Sequence, residues 1–301
     1  MVYARQVVDP PSSAPYPYGL LNAVDWRPNG DPHVFQGIQW NSMCPADANT
    51  TVDPCFTGGG VTAKSKQTFQ YLRGATPFTV YTEVDCSPPG FWDSADDKIA
   101  QAMAMAEGPE VELVLWTGSV AGTGNGQYPH LAANATVTDS SVLAPVTLQT
   151  ATGTVTGSTI LDVVEGLGRL EAALLACAKG TGFIHVTPVV LELMAAWRLV
   201  ELRGGQLYTM AGNRVVVGAG YTGSAPDGTS AVGSQWMYAT GPLFGYRSAV
   251  RTFDKATGLD RNVNTLKLIV ERTYVIAYDC CIYGVAVSTG GIITGTPNSA
   301  T

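Results

Sequence analysis

Apolar residues recur at three-and-four spacing along 158–179. Ile160, Val163, Val164, Leu167, Leu170, Leu174 and Cys177 share one helical face, and Gly180 closes the end. Gly166 and Gly168 interrupt this helix and imply close packing there. After a short strand at 183–186, Thr187 caps a second helix and Pro188 takes its first turn. Leu191, Met194, Ala195, Leu199 and Leu202 share its face, and Gly204-Gly205 ends it. A third helix is predicted at 94–107, with Asp93 or Ser94 as cap, Asp96 and Asp97 at the positive end and Gly108 as the stop. A strand at 111–116 follows it.

Elsewhere the pattern is β-type. Strands are predicted at 33–40, 68–72 and 78–85, the first two separated by a polar loop over 41–60. The final third reads as strands at 206–209, 214–218, 235–239, 244–251, 266–278 and 282–287. Between the first helix and the long amphipathic one, 117–157 reads as loops and hairpins with short β runs at 135–137 and 142–148. The beginning is rich in proline (Pro10, Pro11, Pro15, Pro17, Pro28, Pro32) and is expected to be extended. Tyr16, Tyr18, Leu20, Leu21, Val24 and Trp26 lie along it and need another surface, in the same chain or in a neighbour. The tail from Ser288 is small and polar, and we expect it to be mobile. No internal repeat is visible.

Composition changes the picture through its poverty of charge. Of 301 residues, 46% are apolar and 14% charged, against about 25% charged in ordinary soluble domains. Such a chain either hides surface in an assembly or is a β-rich monomer with a Thr/Ser/Gly exterior. The net charge is −7, with Lys and Arg scattered mostly singly. Tight nucleic-acid binding needs clustered cations, so a reader of DNA is disfavoured and a container is permitted. No apolar run is long enough to span a bilayer, and 1–9 lacks a basic stretch followed by an apolar core. A cytoplasmic product is expected. Of the six cysteines, Cys44 and Cys55 bracket a polar loop and could bridge in an oxidising medium, but free thiols are expected throughout.

Candidate chemistry is thin. His33, His130 and His185 have no sequence-level partner, and no G-x-S-x-G turn occurs, so each histidine is read as structural or surface. Residues 218–223 match G-x-G-x-x-G, yet loop residues follow where a dinucleotide site needs a helix. Residues 122–126 lack the Lys-Ser/Thr ending of a phosphate loop. Asp47, Asn49 and Thr51 lack the Gly and Glu of a calcium loop. Glu165 and Arg169 form an ordinary i,i+4 pair. No catalytic, cofactor or metal site is expected, and the chain is not read as an enzyme.

From Val186 onward the order of features resembles the tailed-bacteriophage major capsid protein family, whose fold is shared with encapsulins. The resemblance rests on Thr187-Pro188 leading a helix to Trp197 and Leu202, then the turn Gly204-Gly205-Gln206-Leu207-Tyr208. Gly212-Asn213-Arg214-Val215-Val216-Val217 follows, and later the long strand entered through Asn262-Val263-Asn264-Thr265 and running Leu266-Lys267-Leu268-Ile269-Val270-Glu271-Arg272. It implies an α+β fold with 1–32 as N-terminal arm and 33–86 as extended β loop. In it 87–157 is a peripheral domain with spine helix, 158–260 an axial domain, and 261–301 the return strands of the peripheral domain plus a mobile tail.

The function implied is a structural subunit self-assembling into an icosahedral shell around a phage genome. Hexamers and pentamers of the chain would enclose DNA without sequence-specific binding, with scaffold, portal and decoration proteins as further partners. The place implied is the virion, assembled in the host cytoplasm. Alternatives are an encapsulin-like compartment, a pentamer-specific minor subunit, or a β-rich enzyme with an unrecognised site. Subunit contacts are expected at Tyr16, Tyr18, Leu20 and Trp26 on the arm and at Phe35, Trp40, Phe69 and Tyr71 on the loop. Lys64 and Lys66 lie where some relatives carry a cross-linking lysine, but exposed solvated lysines are the expectation here.

Overall fold

The computed structural model describes residues 16–28, 31–42, 71–86, 95–120, 128–132, 149–150, 160–226, 228–229, 232–253, 259–260 and 265–290. The loop carrying Cys44, Cys55, Lys64, Lys66 and Phe69, both short β runs of 117–157, and the tail beyond 290 lie outside them.

The helices are α1 (Leu20–Ala23), α2 (Ala95–Thr117), α3 (Val163–Ala178) and α4 (Pro188–Ala196) among the described residues. Three expectations are corrected. The helix expected to stop at Gly108 runs on through Pro109 to Thr117, and no strand forms at 111–116. Locally that run is β-branched and aromatic. Ile99, Met103, Val111, Val114 and Leu115 nevertheless keep a helical period, and all are buried on one side. Pro109 withholds one N–H from the ladder, on an exposed turn of the helix. The second correction concerns Leu199 and Leu202, which are not helical. The Leu199 amide donates to the Met194 carbonyl at 2.8 Å, Arg198 turns left-handed (φ 55°), and α4 ends. β7 (Val200–Arg203) then pairs with β8 (Gln206–Thr209) across Gly204-Gly205, both at positive φ as a tight hairpin requires. Third, 33–40 is not one strand. The Asp31 carboxylate accepts from the His33 amide at 2.9 Å and starts a 3-10 turn over Pro32–Gln36, and β2 (Ile38–Ser42) follows.

Two sheets organise the chain. In the first, β14 (Thr265–Tyr278) pairs along one edge with β4 (Phe78–Cys86). Its other edge takes β13 (Leu259–Asp260), β12 (Arg251–Thr252) and β11 (Leu243–Arg247) in succession. β1 (Asp25–Trp26) adds to β11 in parallel. The second sheet has the order β5-β15-β10-β6-β9-β8-β7, with β5 (Gln149–Thr150), β15 (Ile282–Ser288), β10 (Ser234–Thr240), β6 (Phe183–Val186) and β9 (Arg214–Val217). β2 and β3 (Tyr71–Ala75) form a separate two-stranded ribbon. The chain passes between the sheets at Pro242 and again at Asp279, so β11 and β15 each lie in a different sheet from the strand before them.

Period-two alternation sends the two faces of each strand to different cores. Leu268, Val270, Tyr274, Ile276 and Tyr278 join Trp236, Tyr238 and Val216 of the second sheet in one core, into which α2 drives Trp116. Met237, Ala239, Val215, Val217, Val285 and Val287 face the other way, against α3 and α4. Val275 and Ala277 meet the root of the ribbon through Phe35, Ile38 and Trp40.

The α3 helix begins later than expected because the Asp162 carboxylate caps it, accepting from the Glu165 amide at 2.8 Å, while Leu161 bridges to Val287. The free-thiol expectation is also corrected for Cys177, Cys280 and Cys281, all disulfide-bonded; the Cys177–Cys281 bond ties the end of α3 to the turn before β15. The close packing expected at both helix glycines holds at Gly166 only. A Cβ there would lie 2.5 Å from Cγ1 of buried Val287, whereas one at Gly168 meets nothing within 4 Å. Gly168→Ala is therefore expected to stabilise the protein by about 0.5–1 kcal/mol by removing a flexible helix residue. Gly166→Ala is expected to destabilise it, and thermal denaturation of the two variants checks the opposite signs.

Candidate assembly surfaces

The arm root is built into its own chain. Leu20 is fully buried and Val24 nearly so, in the core filled by α2. What holds it is a buried carboxylate. Glu112, on α2, accepts from the Leu20 amide at 2.9 Å and from the Gly220 amide at 3.0 Å. It joins α2, the start of α1 and the 218–223 turn in one contact. Burial pushes its pKa up, opposed by the hydrogen bonds from backbone amides of Gly220, Leu20 and Ala219. Gly220 approaches so closely that a Cβ there would sit 1.8 Å from the Pro109 carbonyl oxygen. The G-x-G-x-x-G glycines thus serve a tight turn against a helix.

His185 is completely buried on β6. Its Nδ1 pairs with the Tyr221 hydroxyl and its Nε2 with the Thr240 hydroxyl, both at 2.9 Å. Burial pulls its pKa down to about 3. These groups could suggest a relay, but they sit among core side chains and work as internal polar cross-links between β6, β10 and the turn. His130 is also held low by burial, while His33 is exposed beside Asp31. Among the described residues no His/Cys/Asp/Glu cluster of metal-binding type occurs, and no helix is long and apolar enough to cross a membrane.

The arm and loop residues expected at subunit contacts fall into distinct settings. Tyr16 is 43% exposed, its ring edge-on to Tyr18 at 5.6 Å. Tyr18 is half-buried against the α3/α4 core. Leu20 faces inward, so its side chain serves its own fold. Trp26 is half-buried, donating from Nε1 to the Leu21 carbonyl at 2.8 Å, with Arg247 over its ring. Phe35 and Trp40 are half-buried at the ribbon root. Trp40 lies edge-on to Phe244 and donates to Asp279 at 3.1 Å. Tyr71 opens β3 opposite Ser42, and Phe69 lies outside the described residues.

Large apolar side chains that sequence reasoning did not single out are exposed elsewhere. Leu175 on α3 is 62% exposed, Trp197 at the end of α4 63%, and Leu202 on β7 60%. Leu175 lies off the apolar stripe of its helix, and that was the available signal. Trp197 and Leu202 carried none, because a continuous helix hid them.

No family model and no curated protein matches this sequence. Solved structures do. The capsid of Ralstonia phage GP4 superposes with a TM-score of 0.56 at 7% identity, covering 94% of each chain. The chain has the phage capsid fold. A chain from Mycobacterium phage Cain matches at 0.54 with 14% identity over 92% of each chain. One from Microbacterium phage Oxtober96 matches at 0.53 with 10% identity over 96% of each. The architecture is α+β, and the likeness covers more than nine-tenths of this chain. At such identities it is the order and packing of elements that the three structures share with this chain.

Two outcomes test the buried polar groups. Glu112→Ala leaves two inward amides without an acceptor, at about 1–3 kcal/mol each. The expected result is a lower melting temperature together with faster proteolysis near Tyr16–Gly19. His185 has a folded pKa below its unfolded value of 6.5, so the unfolded chain binds more protons between pH 6.5 and about 3. Its contribution to stability is complete above that window and is lost as pH falls through it. Urea midpoints measured against pH should fall more steeply for the wild type than for His185→Gln.

Proposed function

We propose that this chain is a structural shell subunit, many copies of which self-assemble into an icosahedral capsid enclosing a phage genome. The observation that supports this reading is the capsid fold carried over more than nine-tenths of the chain. The work is mechanical: weak contacts repeated by symmetry close the shell. The low charge content fits a wall built from neighbours, and the net charge of −7 fits a container that does not grip its DNA.

In family terms the sheet centred on β14, with α2, is the peripheral unit, and the seven-stranded sheet with α3 and α4 is the axial unit. β15 belongs to the latter, so the chain crosses back over the boundary after β14. Residues 1–15 and the 43–70 loop are the outreaching parts, and Tyr16, Trp26, Phe35, Trp40, Phe69 and Tyr71 are contact residues or support them. Neighbouring subunits in hexamers and pentamers are the first partners, with scaffold, portal and decoration proteins beyond them. The virion is the expected place, after assembly in the host cytoplasm.

Expressed full-length chain is expected to sediment as large particles and to show closed shells by negative-stain microscopy. A stable monomer at high concentration would overturn the assignment. Deleting 1–15 is expected to leave a folded, soluble chain that closes few or no shells. The deletion must spare Tyr16–Trp26, because Leu20 and Val24 belong to the core.

A further inference from the structure

The two places where the chain passes between its sheets lie against each other. The Asp279 amide donates to the Pro242 carbonyl at 3.0 Å, and the Gly241 amide to the Cys281 carbonyl at 3.1 Å. A Cβ on Gly241 would sit 2.0 Å from the Asp279 carbonyl oxygen, so this contact admits no side chain there. Beside the pair opens a cleft of about 690 Å³. Its lining includes Phe183 and Arg214 from the second sheet, Leu243 and Phe244 from the first, and Pro242 and Asp279 from the crossings. With that side unpacked, movement of one sheet against the other would be felt at the crossings.

Cysteines converge on the second crossing. Cys281 is bonded to Cys177 in the last turn of α3, and Cys280 carries a disulfide to a cysteine other than these two. The turn is also fixed by hydrogen bonds. The Cys281 amide donates to the Asp279 carbonyl at 3.2 Å, and the Trp40 indole to the Asp279 carboxylate at 3.1 Å. On the other side, α3 is capped by Asp162 and held down through Leu167, Leu170 and Leu174. Non-covalent packing thus brings the two sulfurs together. As thiols, Cys281 and half-buried Cys177 are small apolar side chains belonging to that same core.

A chain made in a reducing cytoplasm starts with thiols. We propose that the Cys177–Cys281 bond closes after the subunit has folded, as a redox lock that ties α3 to the crossing between the sheets. Its timing rests on the shell-subunit reading: the lock is open during assembly and shuts when the shell reaches an oxidising medium. A low-molecular-weight disulfide such as oxidised glutathione is the oxidant. The Cys177 thiolate, the more accessible of the two, attacks one of its sulfurs and releases one glutathione thiol. The Cys281 thiolate then attacks the Cys177 sulfur and releases the second, so the protein loses two hydrogens and the oxidant gains them.

The test uses full-length protein from a reducing bacterial cytoplasm, lysed directly into denaturant with N-ethylmaleimide. Mass spectrometry of the peptides bearing Cys177 and Cys281 is expected to find both alkylated. A parallel sample purified under reductant is expected to show the same circular dichroism before and after oxidised glutathione, which links the two peptides. Peptides already linked at lysis, a reduced chain that is unfolded, or no link after oxidation each overturn the proposal.

Melting temperature gives a second measurement. A bond spanning 104 residues is expected to raise it by about 10 °C in the wild type. Cys177→Ala/Cys281→Ala is expected to fold like the reduced wild type and to gain less on oxidation, since only the bond at Cys280 can then respond. An equal gain in that variant overturns the lock at Cys177–Cys281. Negative-stain microscopy of the same samples keeps the two readings apart: absent shells overturn the shell-subunit reading, while trapping and melting decide the lock in the soluble chain.

Discussion

Both sheets bury a face in one shared core, and the rest of the molecule depends on that core being filled. α2 fills it. Trp116 is completely buried at its end, 4.8 Å from the rings of both Tyr221 and Tyr238, so one side chain touches the turn after β9 and the middle of β10. On the other side of the same core, Phe78 stacks on Tyr274, which brings β4 and β14 against the helix. Without α2 each sheet would expose an apolar face of the kind that drives association or collapse. The Arg272–Glu107 ion pair at 2.8 Å, largely shielded from solvent, fixes the helix along β14.

Some of the buried polar groups tie separate segments together. Glu112 spends its two oxygens on backbone amides from two separate segments, a use of a carboxylate that is costly in desolvation and strong in direction. Asn213 works in the same way at the far end of the second sheet. It accepts from the Gly182 amide and donates to Glu171 on α3, which fixes the turn between β8 and β9 beneath the helix. Such contacts specify which segments meet, where apolar burial alone would tolerate sliding.

What the interior leaves over is on the outside. Leu175, Trp197 and Leu202 are large, apolar and exposed, on or beside the helices covering the second sheet. In a monomer they would be a solubility burden. In a subunit surrounded by copies of itself they are consistent with covered surface. Residues 20–26, by contrast, complete the core of their own chain.

The sequence by itself determined the elements whose period is unambiguous: α3 with its stripe, the capped start of α4, and the alternating strands β14 and β15. It also determined the order of features that resembles the capsid fold. Local pattern misread 111–116 as strand and 197–203 as helix, because a short apolar run satisfies either period until its partner is known. For 111–116 the partner was a core that only a continuous helix could fill. For 200–203 it was β8, reached through a two-glycine turn. The Cys177–Cys281 bond, separated by 104 residues, the meeting of Glu112 with Leu20, and the cleft between the sheets are long-range coincidences. No local spacing encodes them, since each exists only once the chain has crossed between its sheets.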